Sequence, residues 1–438
     1  MEETPLYDAL EAFAAQNPTR FHMPGHKGRG EGNLLDFTEL PPTGNLYGGG
    51  DVIAEAEALW GAAWKMPHCQ FLTGGSTQGL QTAFFAACRP GEEVLLDRAS
   101  HRAVHNALAL LDLHPHYLMR DGETPILASD VENFLKTHEK VKTVCITSPT
   151  YYGVLSDVPE ISHVVHAYGG SLLVDAAHGA HLPFLGTNPF LGADLVVTSA
   201  HKTLPALGQS ALIFSSERFG AEALRKAAAI TGTSSPSYLI MASLDSARAH
   251  MEGRGKRDYE ETILSVQKLR ERFPSLQGAD LDPARFTLLC SDGFALQDGL
   301  EAQNIYPEMA DKNHVVFICT CNDNLEDFET LTKALTALVP PQESLPQGDG
   351  ARCAHWADEG VPRPIVTPII ALSPRAALFS QKEILSLSAA EGRISAVQIA
   401  PYPPGVPVVA PGEVISKKHL AYLAGIGYNM KDKIEVVL

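Results

Sequence analysis

The sequence has no apolar run long enough to cross a membrane. A membrane-spanning helix needs about 18 consecutive apolar residues, and polar or charged side chains interrupt every apolar stretch of these 438 residues. The first residues, Met1, Glu2 and Glu3, also lack the basic and apolar regions of a secretory signal. We therefore expect a cytoplasmic protein without a membrane partner.

Cysteine is scarce and is not arranged for disulfide or metal chemistry. The seven cysteines are an odd number scattered along the chain, and Cys319 and Cys321 stand two apart within an apolar run. Zinc sites need paired ligands at characteristic spacings. The pattern indicates buried free thiols in a reducing compartment and predicts no metal site.

Positive charge is also in short supply. The chain has 34 Lys and Arg against 51 Asp and Glu, which gives a formal net charge of −17. Binding to nucleic acid or to an anionic membrane requires clustered basic side chains, so we expect neither partner. An acidic field can steer a cationic small molecule, but many proteins are acidic only for solubility, so this support for a cationic substrate is weak.

What the sequence does contain is a globular composition and a regular alternation of short apolar runs with helical segments. Hydrophobic residues make up 45% and charged residues 19%, and the length predicts two or three domains. The alternation is typical of βαβ units around a mostly parallel, buried sheet. Strands are predicted at 70–73, 93–97, 116–119, 143–147, 171–175, 195–199 and 210–214.

The flanking regions predict the domain organisation. Helical patterns cover 6–16 and 52–64, and a longer one at 262–273 suits a link between two domains. Strand-like runs at 286–289 and 314–320 then alternate with helices, as in a smaller α/β unit. We expect an N-terminal segment (1–50), a large domain (51–275) and a small C-terminal domain (276–438). The Pro- and Gly-rich stretch 339–350 indicates a surface loop or linker, and the prolines of 401–407 a fixed loop shape.

Lys202 is the first of several residues that point to chemistry. It follows the apolar run 195–199, and Val196, Val197 and Leu204 make its surroundings apolar. Most lysines are solvated surface residues, but a desolvated lysine at a strand end can lose its proton and form a Schiff base with an aldehyde. Ser199, three residues earlier, can reach a phosphate at the same place.

Asp175 ends another apolar run and is predicted at the carboxyl end of a buried strand, where ligands of α/β sheets gather. A carboxylate there can cap the next helix. It can also pair with the pyridinium nitrogen of pyridoxal phosphate and thereby keep that ring an electron sink. Ala177 is small enough to let a flat ring lie close, so Lys202 and Asp175 together favour this cofactor.

The turn at 74–79 (GGSTQG) joins an apolar strand to a helix. Such a turn presents backbone N–H groups and the positive end of the helix dipole, which suits a phosphate, and Ser76 and Thr77 add hydroxyl donors. A plain capped turn is the commoner explanation of this motif taken alone.

Several histidines accompany these residues. His101 follows the apolar run at 94–96, and its imidazole could stack on the pyridine face opposite Ala177, although a lone histidine is more often structural. His178, His181 and His201 cluster near the same strand ends. With Asp175 they could suggest a metal site, but their spacing matches no ligand motif and a neighbouring lysine opposes a cation.

Taken together, these motifs resemble the bacterial Orn/Lys/Arg decarboxylases, and the resemblance covers nearly the whole chain. It implies the type I fold of pyridoxal-phosphate (PLP) enzymes: an α/β large domain with a mostly parallel seven-stranded sheet between helices, and a smaller C-terminal α/β domain. It further implies the short form without an N-terminal response-regulator-like domain, and a homodimer or higher homo-oligomer with shared active sites. The matching segments are 4–6 (TPL), 21–27 (FHMPGHK), 97–101 (DRASH), 175–181 (DAAHGAH), 199–202 (SAHK), 234–238 (SSPSY), 241–245 (MASLD), 401–407 (PYPPGVP) and 411–413 (PGE).

The resemblance also implies a role for individual residues. Lys202 would bind the cofactor covalently with His201 beside it, Asp175 would hold the pyridine nitrogen, and His101 would stack on the ring; these four form the predicted catalytic set. Residues 235–238 would contribute around the phosphate, across a dimer interface. The other predicted cofactor-binding residues are Gly75, Ser76, Thr77 and Ser199 at the phosphate, Thr150 at the ring's edge, and Ala177 and His178.

The implied reaction is decarboxylation of lysine, arginine or ornithine to cadaverine, agmatine or putrescine and CO2, a carboxy-lyase step of polyamine biosynthesis. Glu308 and Asp311 are candidates for binding the substrate's distal cation. Residues 44–47 (GNLY) and the pair Arg102-Ala103 depart from the family pattern, which leaves the choice of basic amino acid open.

Two other hypotheses about the function remain. Arg375 could clamp an α-carboxylate, which would favour an aminotransferase or another amino-acid lyase with the same cofactor. The chain could also be a non-catalytic PLP-fold protein with a binding or regulatory role. The presence of both Lys202 and Asp175 argues against that last reading, since a silent homologue is expected to have lost one of them.

Overall fold

The structure is a computed structural model and describes residues 3–120, 122–339, 366–401 and 405–438. Most of the predicted linker at 339–350 and residues 402–404 of the proline-rich segment lie outside the described residues. None of the described helices is both long and apolar enough to span a bilayer.

The strands predicted for the large domain appear in the predicted order, and the chain contains further helices and strands that the sequence does not predict. The α-helices are α1 Pro5–Ala15, α2 Val52–Trp64, α3 Gly75–Ala87, α4 Arg102–Leu111, α5 Ala128–Leu135, α6 Val158–Ala167, α7 Leu182–Leu185, α8 Ala200–Thr203, α9 Ala221–Thr231, α10 Tyr238–His250, α11 Lys256–Arg272, α12 Gly293–Glu301, α13 Leu325–Leu338, α14 Pro374–Phe379 and α15 Lys417–Gly425. The strands are β1 His68–Leu72, β2 Glu93–Asp97, β3 His114–Leu118, β4 Thr143–Thr147, β5 Ser171–Asp175, β6 Leu195–Thr198, β7 Ala211–Ser215, β8 Arg285–Leu289, β9 Met309–Ala310, β10 His314–Ile318, β11 Lys382–Ser386 and β12 Lys433–Val437.

Seven strands form one sheet in the order β1-β7-β6-β5-β4-β2-β3. The pairs β2–β3, β4–β5 and β5–β6 are parallel, whereas β7 pairs antiparallel with β1 and β6. Every residue of β6 and β7 is buried, as expected for strands covered on both faces. The predicted mostly parallel, seven-stranded α/β sheet is confirmed.

The chain forms two compact units, each assembled from three segments. The first comprises Met1–Cys88, Thr143–Ser148 and Asp157–Glu260, and the second Arg89–Lys142, Pro149–Ser156 and Glu261–Leu438. The second unit also contains the antiparallel sheets β8-β10-β9 and β11-β12. The domain boundaries at 50 and 275 stay a prediction.

Local sequence explains how the elements begin and end. The Asp51 carboxylate accepts hydrogen bonds from the backbone N–H groups of Ile53 and Ala54 and so caps α2. That helix ends at Lys65, which adopts a left-handed conformation. Trp64 is fully buried and stacks on Phe214 of β7 with ring centroids 4.1 Å apart, so α2 is fixed against the sheet.

The helix predicted at 262–273 corresponds to the second part of α11, which begins at Lys256 and ends at Arg272. A π-helical turn, Met251–Gly255, separates α10 from α11, and Gly253 within it has non-helical dihedral angles. The turn and the charged start of α11 have no clear apolar period, which is why the sequence pattern detected only the second part of the helix.

Candidate active site

Four strands of the first unit bring the predicted site segments to one edge of the sheet. The carboxyl ends of β1, β4, β5 and β6 meet there, next to the amino end of β7. The paired residues along this edge are Leu72 with Ala211, Leu212 with Thr198, Val197 with Asp175, and Asp175 with Thr147. The turn at 74–79, Asp175 and the Ser199–Lys202 segment therefore all begin or end at this edge, where α/β proteins bind ligands.

Asp175 is the last residue of β5, and only 2% of it is exposed. Its Oδ1 accepts a hydrogen bond from Ala177 N (3.2 Å), and its backbone oxygen accepts one from Ser148 N (3.0 Å). These bonds fix a buried carboxylate at the carboxyl end of the strand. Buried carboxylates are stable as anions only beside a hydrogen-bond donor or a cation, and the N–H of a protonated pyridine is such a donor.

Lys202 lies in the short helix α8, and its Nζ is 3.1 Å from Nε2 of His178. The lysine is half-buried and His178 is 5% exposed. At this distance the two nitrogens share a hydrogen bond, so the imidazole can take a proton from the lysine or return one to it. The sequence pattern predicts that both residues lie at the site, but it does not predict this contact.

His201 points its Nδ1 at the backbone oxygen of Ser210, 2.9 Å away. Burial lowers the pKa of His201; the bond to Ser210 opposes this, and the neighbouring Lys202 adds to the lowering. The ring is therefore held in its neutral form around pH 7, with Nδ1 as the hydrogen-bond donor.

The glycine turn is held close to the lysine segment. Gly75 has a positive φ of 72°, begins α3, and donates its backbone N–H to Gln209 O at 3.0 Å. The next residue, Ser210, is the one that binds His201. A Cβ on Gly79 would lie 2.5 Å from Val197 Cγ1, so this glycine lets α3 pack directly on β6.

One buried hydroxyl at this edge is unsatisfied. Ser199 is fully buried, and its Oγ has no hydrogen-bond partner among the residues that the structure describes. Buried polar groups are nearly always hydrogen-bonded, so a group from outside the chain is the expected partner. A phosphate is a suitable partner for the Ser199 hydroxyl and the N–H groups of the glycine turn, and the chemistry of the nearby Lys202 amine and Asp175 carboxylate suits the aldehyde and the pyridine nitrogen of pyridoxal phosphate. Among the described residues no three His, Cys, Asp or Glu side chains form a metal-binding group.

His101 and Thr150 belong to the second unit. His101 is the N-cap of α4, where its Nδ1 accepts a hydrogen bond from Ala103 N (3.2 Å). Thr150 is buried in a tight turn, and its Oγ1 accepts from Val154 N (3.1 Å). These contacts fix both side chains locally, while their roles toward the cofactor stay predictions.

The two acidic candidates for substrate recognition differ in their contacts. Asp311 accepts hydrogen bonds from Tyr152 Oη (2.7 Å), His314 Nδ1 (2.9 Å) and the backbone N–H of Asn313 (2.7 Å). Burial raises the pKa of Asp311, but the bonds from His314 and Tyr152 outweigh burial and hold it below its usual range. Glu308 is exposed and accepts a hydrogen bond from Tyr151. Of the two carboxylates, Glu308 is the one still open to a cation.

Arg375 has a structural contact. Its guanidinium donates to the backbone oxygens of Ala109 (3.3 Å) and Leu110 (3.0 Å) near the end of α4, and it lies over the ring of Phe379. Cationic side chains commonly stabilise helix C-termini in this way. The α-carboxylate role of Arg375 stays a prediction, and the contact shows that its guanidinium is held at the end of α4.

Residues 235–238 are held within the chain itself. Tyr238 is fully buried and donates its hydroxyl to the backbone oxygen of Gly44 (2.6 Å), while Ser237 caps α10. The predicted approach to a phosphate across a dimer interface stays a prediction.

Tyr259 is a residue of this region that sequence reasoning missed. It is fully buried near the start of α11, stacks on His181 with ring centroids 5.0 Å apart, and donates its hydroxyl to the backbone oxygen of Thr203. It therefore joins the loop after β5 to the segment that carries Lys202. No sequence signal distinguishes such a tyrosine from an ordinary core aromatic.

The fold and this edge of the sheet define the class: the chain has the type I fold of PLP enzymes. Its solved structural neighbours include the lysine decarboxylase LdcF of Francisella novicida, with a TM-score of 0.82, 18% identity and coverage of 99% of this chain and 81% of that one. At this identity the likeness shows the fold alone.

Sequence comparison gives the family. The model of the Orn/Lys/Arg decarboxylase major domain matches residues 4–289, and that of the C-terminal domain matches residues 357–429. The chain belongs to the Orn/Lys/Arg decarboxylase family. Similar proteins include the uncharacterized protein YaaO of Bacillus subtilis (32% identity, 99% of this chain and 96% of the relative) and the arginine decarboxylase of Bacillus anthracis (30%, 96% and 92%).

Proposed function

We propose that this chain is a pyridoxal-phosphate-dependent decarboxylase that converts a basic amino acid to the corresponding amine and CO2. The observation that carries the proposal is the buried edge where Lys202, in contact with His178, accompanies Asp175 and the unsatisfied hydroxyl of Ser199. Family membership supports the reaction type. The arginine decarboxylase of Bacillus anthracis, 30% identical, makes arginine the first substrate to test, followed by lysine and ornithine.

The residues divide between holding the cofactor and moving protons. Bound pyridoxal phosphate would supply an electron sink for the pair left at the α-carbon when CO2 departs. Asp175 would accept the hydrogen bond of the ring N–H and so keep that nitrogen protonated. Ser199 Oγ and the hydroxyls of Ser76 and Thr77 would donate to the phosphate, together with free N–H groups at the start of α3.

Other side chains would complete the ring's surroundings. Ala177 is buried and too small to obstruct a flat ring. We propose that His101 stacks on the opposite face and that Thr150 lies at the ring's edge. Both hold fixed local positions through the bonds from Ala103 and Val154.

Lys202 would bind the cofactor aldehyde and return a proton to the α-carbon after CO2 leaves. A lysine does this only if its amine can lose and regain a proton near neutral pH. We propose that His178 exchanges that proton, because its Nε2 is 3.1 Å from Nζ. His201, held neutral by burial, adds no positive charge next to the reacting amine.

Specificity for a basic side chain requires a carboxylate that can pair with the distal cation. Glu308 fits this requirement because it is exposed and its known partner, the Tyr151 hydroxyl, leaves oxygen lone pairs available. Asp311 fits it less well, since four donors already bind its carboxylate. We therefore propose Glu308, and not Asp311, as the residue that binds the distal cation.

The test is product analysis with purified protein, pyridoxal phosphate and each of arginine, lysine and ornithine. We expect equal amounts of CO2 and of agmatine, cadaverine or putrescine from at least one substrate. Keto acid without CO2 would instead identify an aminotransferase, and no product with bound cofactor would identify a non-catalytic protein. Arg375 already donates hydrogen bonds to backbone oxygens of α4, which leaves the transamination hypothesis with less support than decarboxylation.

We further propose a homodimer or higher homo-oligomer with shared active sites, a cytoplasmic location, a role in polyamine biosynthesis, and domain boundaries near residues 50 and 275. Sedimentation of the cofactor-loaded protein tests the assembly. A monomer that is fully active would contradict shared sites.

A further inference from the structure

The C-terminal motif Pro411-Gly412-Glu413 has no role in the function proposed above, yet it forms a rigid buried turn. Gly412 has a positive φ of 90°, and a Cβ there would overlap the backbone oxygen of Leu372. Only 1% of the Glu413 side chain is exposed, and its Oε2 accepts a hydrogen bond from Ala410 N (2.8 Å). The turn thus presents one carboxylate in a fixed direction.

That carboxylate meets Arg98, which follows β2 directly and precedes His101 by three positions. Arg98 Nη2 lies 3.0 Å from Glu413 Oε2 and donates a second bond to Val408 O (2.9 Å). Its guanidinium lies 4.9 Å from the ring centroid of Tyr117. Both charged side chains are almost completely buried, so the pair is shielded from solvent.

Three more hydrogen bonds hold the same stretch of chain to the C-terminal segment. Arg102 N donates to Gly405 O at 2.8 Å. Gln398 Nε2 donates to Asn106 Oδ1 at 2.7 Å and to Arg102 O at 3.3 Å. Both ends of the segment 98–106, which includes His101, are therefore hydrogen-bonded to the C-terminal segment.

Glu413 is the carboxylate in contact with Arg98, and the two nearby imidazoles add no positive charge. Burial, and then Arg98 itself, lower the pKa of His105 to about 3 and that of His419 to about 4, so both rings stay neutral. Burial raises the pKa of Glu413 and Arg98 opposes this. Buried ion pairs contribute little to stability relative to apolar residues of the same size. Stability alone therefore does not explain why Arg98 and Glu413 form a buried ion pair.

We propose that Arg98 and Glu413 are positioning residues: the ion pair anchors residues 98–106 to the C-terminal segment and so sets the orientation of His101. The consequence for the cofactor rests on the proposed function, because it requires His101 to stack on the ring. The anchoring itself does not depend on any cofactor.

The test compares Glu413→Gln and Glu413→Asp with Leu423→Ala in the full-length protein. Glutamine keeps the shape of the side chain but removes its charge, and aspartate restores the charge. Leu423 is a buried core residue of the C-terminal region with no place in the ion pair. It therefore controls for a general loss of stability.

The first readout is hydrogen exchange of peptides covering residues 98–106 in protein without added cofactor. We expect about tenfold or faster exchange in Glu413→Gln, since local opening is easier once the anchor is lost, an intermediate rate in Glu413→Asp, and no local change in Leu423→Ala. Exchange that stays at the wild-type rate in Glu413→Gln, or that rises equally in Leu423→Ala, would overturn the anchoring.

The second readout is the visible circular dichroism of protein loaded with pyridoxal phosphate, which reports the asymmetry of the ring's surroundings. We expect the band to weaken in Glu413→Gln and to recover partly in Glu413→Asp. An unchanged band beside faster exchange would overturn the proposed effect on His101. A wild-type protein with no band would contradict the proposed function instead, and the exchange data would still decide the anchoring.

Discussion

Nζ of Lys202 lies 3.1 Å from Nε2 of His178 at the carboxyl ends of β5 and β6. The two residues are 24 positions apart, and the parallel pairing of Asp175 with Val197 brings their loops together. The proposed proton exchange between the lysine and the imidazole rests on this contact. It leads to the first prediction.

Replacing His178 with Gln is expected to slow turnover without releasing the cofactor. Removing a proton-exchange partner typically reduces kcat by about 100-fold or more, whereas Asp175 and Ser199 still hold the ring and phosphate. Steady-state kinetics between pH 6 and 9 should show a lower kcat and a changed pH profile, while the amount of bound cofactor stays at the wild-type level. His163→Gln, on the exposed face of α6, is the matched control. A His178→Gln enzyme with wild-type kcat and pH profile would rule out the relay.

Replacing Glu308 with Gln is expected to weaken substrate binding selectively. Glutamine can still accept the Tyr151 hydrogen bond but cannot pair with a cation. Loss of a charge-assisted contact should raise the KM for the preferred basic amino acid by about 10-fold or more, with a smaller change in kcat. Glu329→Gln, an exposed position on α13, is the control. Equal KM values for the two variants would exclude Glu308 from substrate recognition.

Glu57 of α2 predicts an unusual pH dependence of stability. It is buried, and its Oε1 accepts hydrogen bonds from Gln70 Nε2 (2.7 Å) and Phe71 N (2.9 Å). Burial raises its pKa from 4.5 to about 8, with the Phe71 bond and Arg225 opposing. The folded state therefore binds more protons than the unfolded state between those values, so this group's contribution to stability is full below pH 4.5 and falls as the pH rises toward 8.

The measurement is the free energy of unfolding from pH 5 to pH 8 for wild type and Glu57→Gln. Wild type should lose up to about 1.4 kcal/mol per pH unit from this group. Glu57→Gln keeps both hydrogen bonds without a charge and should flatten that slope. Parallel curves for the two proteins would show that Glu57 does not titrate in this range.

Sequence reasoning located the strand-end residues because they carry a local signal. Asp175 and the Lys202 segment each follow a short apolar run, and parallel strands bring their carboxyl ends to one edge. The predicted strands matched within about two residues, since buried strands have a strong apolar pattern. The family resemblance, confirmed by comparison, supplied the reaction.

Contacts between distant positions could not be predicted in this way. Arg98 and Glu413 are 315 positions apart, and neither has a neighbour in sequence that indicates an ion pair. The π-helical turn before α11 and the stacking of Tyr259 on His181 depend on backbone geometry rather than on composition. For Arg375, the sequence allows an α-carboxylate clamp but gives no signal for the hydrogen bonds that its guanidinium donates to the carbonyl groups of α4.

The central claim is that Lys202 carries out decarboxylation of a basic amino acid. The most direct measurement is release of labelled CO2 from carboxyl-labelled arginine, lysine and ornithine, by wild type and by Lys202→Ala, both supplied with pyridoxal phosphate. Lys226→Ala, at an exposed position of α9, is the control. We predict labelled CO2 from at least one substrate with wild type and Lys226→Ala, and at least about 1,000-fold less with Lys202→Ala. No labelled CO2 from wild type with any of the three, or undiminished release by Lys202→Ala, would contradict the account.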